Sequence, residues 1–163
     1  MVPAAFGGTL GGPVVGSAGL SVVPDRHVID LEGRSFWTWW AYDILGIVGA
    51  LGVSGRALSP SPPSGEPIEV TFVRGRPQRE DVVLFRPAAD LVDGCENVYA
   101  DWCPNSNLFE DQTSAESWSI SRGLGRIMGL EEASVRATSE WVPLLMGTAL
   151  PSAGAASTAS MED

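Results

Sequence analysis

The pattern of apolar and polar positions is clearest in the middle of the chain. Val28-Ile29-Asp30-Leu31 reads as a short strand, and Glu32-Gly33-Arg34 as a turn. From Phe36 to Leu51 runs a strongly apolar stretch. Trp40, Ile44, Ile47, Val48 and Leu51 recur there at helical spacing, and the length favours a helix over a strand. Ser35 is the expected cap, and Gly46 and Gly49 would allow close packing against a neighbouring element. The prolines of residues 59–67 predict irregular structure. Ile68, Val70 and Phe72 alternate with polar residues, as in a half-buried strand. Gly75-Arg76-Pro77 reads as a turn, and Val82 to Phe85 as a second strand forming a hairpin with the first. Thr113-Ser114-Ala115-Glu116 has the capping-box spacing and predicts a helix to about Arg122. Ile127 to Leu130 reads as a strand, and Glu131 to about Trp141 or Leu145 as a helix with acidic residues in its first turn and its end disturbed by Pro143.

These elements predict an α+β fold, with a small, mainly antiparallel sheet packed with a few helices. Residues 1–20 read as a flexible Gly/Ala-rich arm, 21–148 as the domain and 149–163 as a disordered tail.

Composition narrows the partners. Of the 163 residues 44% are hydrophobic and 18% charged, with a net charge of -10. So acidic a chain is not expected to bind nucleic acid or an anionic membrane surface. The N-terminus lacks the basic region of a signal peptide. No apolar run is long enough for a membrane helix, so a cytoplasmic location is expected. Two cysteines and one histidine do not make a zinc site by themselves, and no cofactor is expected. The oligomeric state is left open.

The chemistry-bearing residues cluster in a few blocks. Asp43 lies among Trp, Tyr, Ile and Leu, where burial would raise its pKa and suit a proton shuttle. The alternative is a structural aspartate that caps backbone or pairs with Arg34. Cys103 is either a reactive or soft-metal-binding thiol or a small buried hydrophobe. Trp37, Trp39, Trp40, Tyr42 and Trp102 are candidates to line a site for a hydrophobic organic molecule, against simple core packing. Cys95 is a weaker candidate partner for Cys103. His27 reads as a surface residue.

Four blocks carry a family resemblance. They are Trp39-Trp40-Ala41-Tyr42-Asp43, Ser59-Pro60-Ser61 with Gly65, Trp102-Cys103-Pro104-Asn105-Ser106-Asn107, and Ser114-Ala115-Glu116-Ser117-Trp118. In this order they resemble the catalytic domain of the organomercurial (alkylmercury) lyases. In that family two thiolates capture the metal of R–Hg⁺ and a carboxylate delivers the proton that releases R–H. The resemblance implies that Asp43 is the proton donor and Cys103 the second catalytic cysteine. Trp40 stands where the family has its first cysteine, and Ser61, Pro104, Asn105 and Asn107 replace further cysteines and histidines. Soft mercury requires soft thiolates, and an indole N–H only donates. The expectation is therefore a lyase-like enzyme recruited to elimination, cyclisation or isomerisation of a hydrophobic organic molecule in secondary metabolism. The alternatives are residual organomercurial cleavage through Cys103 and Asp43, and non-catalytic binding of a small molecule or soft metal.

Overall fold

In the computed structural model the described residues are 16–17, 19–88, 103–120 and 125–147. Cys95, Trp102, Arg122, most of the expected arm and the expected tail lie outside them. Seven strands form one antiparallel sheet: β1 (Gly16–Ser17), β2 (Leu20–Ser21), β3 (His27–Leu31), β4 (Arg34–Thr38), β5 (Gly55–Pro60), β6 (Pro67–Val73) and β7 (Arg76–Pro77). Their spatial order is β1-β2-β4-β3-β5-β6-β7. A second sheet has the order β10-β8-β9, from β8 (Val83–Pro87), β9 (Asn107–Phe109) and β10 (Gly125–Gly129). Three helices complete the α+β fold: α1 (Ala41–Leu51), α2 (Gln112–Ser119) and α3 (Leu130–Leu145).

β3 and β4 are joined by Glu32 and Gly33, both at positive φ (52° and 76°). A two-residue turn of that kind matches the twist of paired strands. It carries the hairpin as far as Thr38, which pairs with His27. The expected helix from Phe36 is corrected accordingly: residues 34–38 are strand, Ser35 caps nothing, and α1 starts at Ala41. The apolar face of α1 is otherwise as expected. Trp40, Ile44, Ile47 and Val48 are buried, while Leu51 at the last turn is 50% exposed.

α1 lies against α3, with Gly46 beneath the Trp141 indole and Gly49 beneath Thr138. Any side chain at either glycine would collide with those groups. The two glycines thus trade about 1 kcal/mol each of helix propensity for close interhelical contact.

β6 alternates as its sequence predicts, with Ile68, Val70 and Phe72 buried. Each contributes roughly 1.5–3 kcal/mol through burial. Its neighbour β5 was not foreseen. The Pro60–Pro67 pair closes the β5–β6 ladder, at its last position, where a missing N–H costs little. Only residues 61–66 are irregular, in a turn held by Ser61 N–H to Glu66 O (2.8 Å) and Gly65 N–H to Ser61 O (2.7 Å).

Two more readings change. Arg76 and Pro77 are not only a turn, because they pair with Phe72 and Val73 as β7. With that edge of β6 taken, Val83–Pro87 cannot be its hairpin partner, and it forms the centre of the second sheet. The unbroken burial of Val83, Leu84 and Phe85 fits a strand covered on both faces. The cap of α2 is Asp111, whose carboxylate accepts from Ser114 N (2.7 Å). Glu116 instead receives the Gln112 amide (2.7 Å).

Candidate functional site

The start of α1 collects the chemistry. Trp40 is extended (φ -123°, ψ 151°) just before the helix. The Thr38 hydroxyl donates to the Trp40 carbonyl (2.9 Å), fixing the passage from β4 into α1. One turn on, Asp43 Oδ2 accepts the Trp40 backbone N–H (3.2 Å). A carboxylate in the first turn satisfies one of the N–H groups that a helix start leaves open.

The Ala41 N–H donates to Ser106 O (3.3 Å). This bond ties α1 to the 3-10 turn Cys103–Asn105. That turn is closed by Ser106 N–H to Cys103 O (3.2 Å) and by the Asn107 amide to Pro104 O (2.8 Å). It brings the Cys103 thiol to the edge of the Trp40 ring, where Trp40 Nε1–H donates to Cys103 Sγ. Asp43, Trp40 and Cys103 are only 2%, 5% and 3% exposed.

Burial pushes the Asp43 carboxyl well above the usual carboxylate range, against the opposing effect of backbone hydrogen bonds at Trp40 and Trp39. Burial likewise pushes the Cys103 thiol up to about 12; the Trp40 hydrogen bond opposes this, nearby Asp43 adds to it, and the Arg26 charge opposes it. At neutral pH the site therefore holds a thiol, not a thiolate, and burial shifts the balance of its carboxyl towards the protonated form.

Gly19 covers the carboxyl. Its carbonyl accepts the Trp39 N–H (3.3 Å). At φ +85° its backbone lies so close to Asp43 that a Cβ would overlap the carboxyl group. Gly19, just before β2, is thus a wall of the site and is itself buried.

The other candidates fall at varying distances from this centre. Trp37 and Trp39 are half-buried, with Trp37 opposite Val28 in the sheet. Trp39 rests against the main core. Tyr42 is fully buried on the side of α1 that meets α3. Its ring is edge-on to Trp141 (5.7 Å) and lies beneath the Arg86 guanidinium (4.5 Å). Arg34 stacks over Phe36 (5.3 Å), so it is not the partner of Asp43.

His27 is a correction, being fully buried and not a surface residue. Its Nδ1 is 2.8 Å from Ser59 Oγ, a buried hydroxyl on β5. A cross-sheet pair 32 positions apart leaves no periodic signal in the sequence.

Among the described residues no group of three His, Cys, Asp or Glu side chains could hold a metal ion. Nor is any helix there long and apolar enough to cross a membrane. A cleft of about 670 Å³ lies between β7 and the start of α3, and a smaller one of about 380 Å³ lies beside Trp118. Neither is lined by Asp43 or Cys103.

Two small antiparallel sheets, a helix carrying a buried acid, and a thiol delivered from a separate turn define a class of domain. The alkylmercury lyase family model matches residues 20–142, most of the chain, and the chain belongs to that family. An alkylmercury lyase of Bacillus cereus is 26% identical over 127 residues, 75% of this chain and 56% of the relative. One from Pseudomonas putida is also 26% identical, with 57% of its length covered. This chain therefore spans little more than half the length of these relatives. Among solved structures, the mercury-bound form of MerB2 superposes with a TM-score of 0.66 at 28% identity, covering 81% of this chain and 65% of that one.

Proposed function

We propose that this chain uses the alkylmercury-lyase fold for proton transfer to or from carbon in a hydrophobic organic small molecule. Elimination, cyclisation or isomerisation in secondary metabolism are the reactions of that kind. Asp43 is the group that gives or takes the proton, and Cys103 lines the reacting face. One observation carries the reading: the buried Trp40 indole hydrogen-bonds the Cys103 sulfur through its N–H, while Asp43 stays buried and accepts the Trp40 backbone N–H.

An indole there offers mercury no ligand, and a thiol at about 12 offers no thiolate. A carboxyl biased towards its protonated form remains competent as an acid, and as a base once it has given up its proton. Trp39 and Trp40 supply apolar surface for the substrate next to that carboxyl. Substrate reaches it when Gly19 lifts from Asp43.

Deuterium exchange tests this without knowledge of the substrate. A panel of hydrophobic metabolites is incubated with the protein in D₂O and followed by mass spectrometry. The protein is expected to label at least one compound at carbon, and Asp43→Asn to slow that labelling by roughly 10²-fold or more, the usual scale of acid/base catalysis. Labelling that Asp43→Asn leaves unchanged would remove Asp43 from the chemistry.

The alternative of residual organomercurial cleavage through Cys103 and Asp43 draws support from the mercury-bound relative. It is weakened by the Trp40 indole that stands against Cys103 and by the raised pKa of that thiol.

A further inference from the structure

Arg26 and His27 are left unused by proton transfer at Asp43. Most arginines with charged neighbours in this acidic chain are neutralised by carboxylates. Arg56 pairs with Asp30 (3.4 Å), Arg86 with Glu140 (3.3 Å), Arg79 with Asp81, and Arg126 with Glu132. Arg26 is held differently. Its exposed guanidinium has Nη2 3.4 Å from Nε2 of the buried His27.

A guanidinium can only donate, so Nε2 must carry the imidazole lone pair. The ring proton is then on Nδ1, donating to Ser59 Oγ at 2.8 Å. Burial first, and the Arg26 charge second, hold the His27 pKa down to about 3. The partner of Arg26 is therefore neutral, and the arginine's charge is not cancelled by it.

This charge sits beside the candidate site. It is felt at the Cys103 thiol. His27 pairs across the sheet with Thr38, whose hydroxyl holds the Trp40 carbonyl. The segment leading to Arg26 continues from β2 and exposes the apolar side chains of Val22 and Val23. A cation whose guanidinium makes no ion pair among the described residues, next to exposed apolar surface and one residue from the sheet partner of Thr38, suits a ligand with an anionic end and an apolar body.

We infer that Arg26, positioned by His27, anchors a carboxylate of the substrate, which is then an amphiphilic organic acid. This inference rests on the reading of Asp43 as the acid/base group. Its test is independent of turnover. The full chain is titrated with naphthalene-2-carboxylate and with the matching carboxamide, following tryptophan fluorescence. The acid is expected to bind about tenfold more tightly than the amide or better, the scale of one charge-assisted hydrogen-bonded pair. Arg26→Gln should abolish that preference, and Asp43→Asn should leave it intact. His27→Gln, which keeps an acceptor, should retain the preference, and His27→Leu should lose it. Equal affinity for acid and amide, no saturable binding of the acid, or a preference that survives Arg26→Gln would overturn the inference. Should His27→Leu fail to fold, Arg26→Gln still decides, because its side chain is exposed. A preference lost in Arg26→Gln with no deuterium exchange anywhere would keep the carboxylate site and discard the reading of Asp43.

Discussion

The indole N–H of Trp40 donates to the thiol of Cys103, linking two residues 63 positions apart in the chain. The bond gives a buried sulfur its partner, and the ring fills buried volume beside it. Replacing the ring tests both effects. Trp40→Phe keeps most of the volume and loses the donor, and should cost about 1 kcal/mol in chemical denaturation. Trp40→Cys places a second thiol beside Cys103 but empties a large volume, and should cost roughly 3–5 kcal/mol. If it folds, Trp40→Cys should capture Hg²⁺ tightly at one ion per chain, where the unaltered protein does not.

Asp43 makes the protein's stability fall as pH rises. Its folded pKa lies above the unfolded value near 3.9, so the folded state binds the extra proton between the two values. Its contribution is therefore most favourable below about pH 4 and declines as pH climbs through the folded pKa. Asp43→Asn has no such group. The stability of the protein minus that of Asp43→Asn should drop by up to about 1.4 kcal/mol per pH unit across that window. A flat difference would mean that the carboxyl is not desolvated.

His27 acts in the opposite direction. Its folded pKa of about 3 lies below the unfolded value near 6.5. Its contribution is complete above about pH 6.5 and is lost as pH falls from there towards 3. The imidazole NMR signals should not titrate between pH 8 and 5. The acid-side loss of stability should be smaller in His27→Gln, by up to about 1.4 kcal/mol per unit.

Gly19 and Gly33 separate contact from backbone strain. Both have positive φ, but a Cβ at Gly19 would strike the Asp43 carboxyl, while one at Gly33 meets nothing. Each substitution by alanine should cost about 1–2 kcal/mol for the left-handed backbone. Only Gly19→Ala should also loosen the wall over the site. Iodoacetamide labelling of Cys103, followed peptide by peptide, should then speed up on the order of tenfold in Gly19→Ala. Gly33→Ala should label at the unaltered rate.

What the sequence revealed depended on how local each signal was. The alternation of Ile68, Val70 and Phe72, the face Trp40-Ile44-Ile47-Val48 and the last helix were all legible, since each is set by neighbours within a few residues. β5 was hidden by Pro60 and by the prolines that follow it, although proline at the end of a ladder costs little. The start of α1 was misplaced because Phe36 and Trp37 continue the apolar run, and only the two-residue turn at Glu32-Gly33 reveals that they pair with β3. In the site, Asp43 and Cys103 stood out by their resemblance to family motifs. The Trp40–Cys103 bond, the Gly19 wall and the His27–Ser59 pair are contacts between distant segments, and nothing in local periodicity encodes them.

On the proposed reading, the lyase-fold site has an indole in place of one of its two soft ligands and keeps its acid. Incubating the full chain with methylmercury and excess free thiol, with methane measured in the headspace, tests this most directly. No methane above the protein-free control is expected, because Cys103, buried against Trp40 and held as a thiol, offers the metal no thiolate while Asp43 protonates the carbon. Methane release that continues over several turnovers and disappears in Asp43→Asn would contradict it.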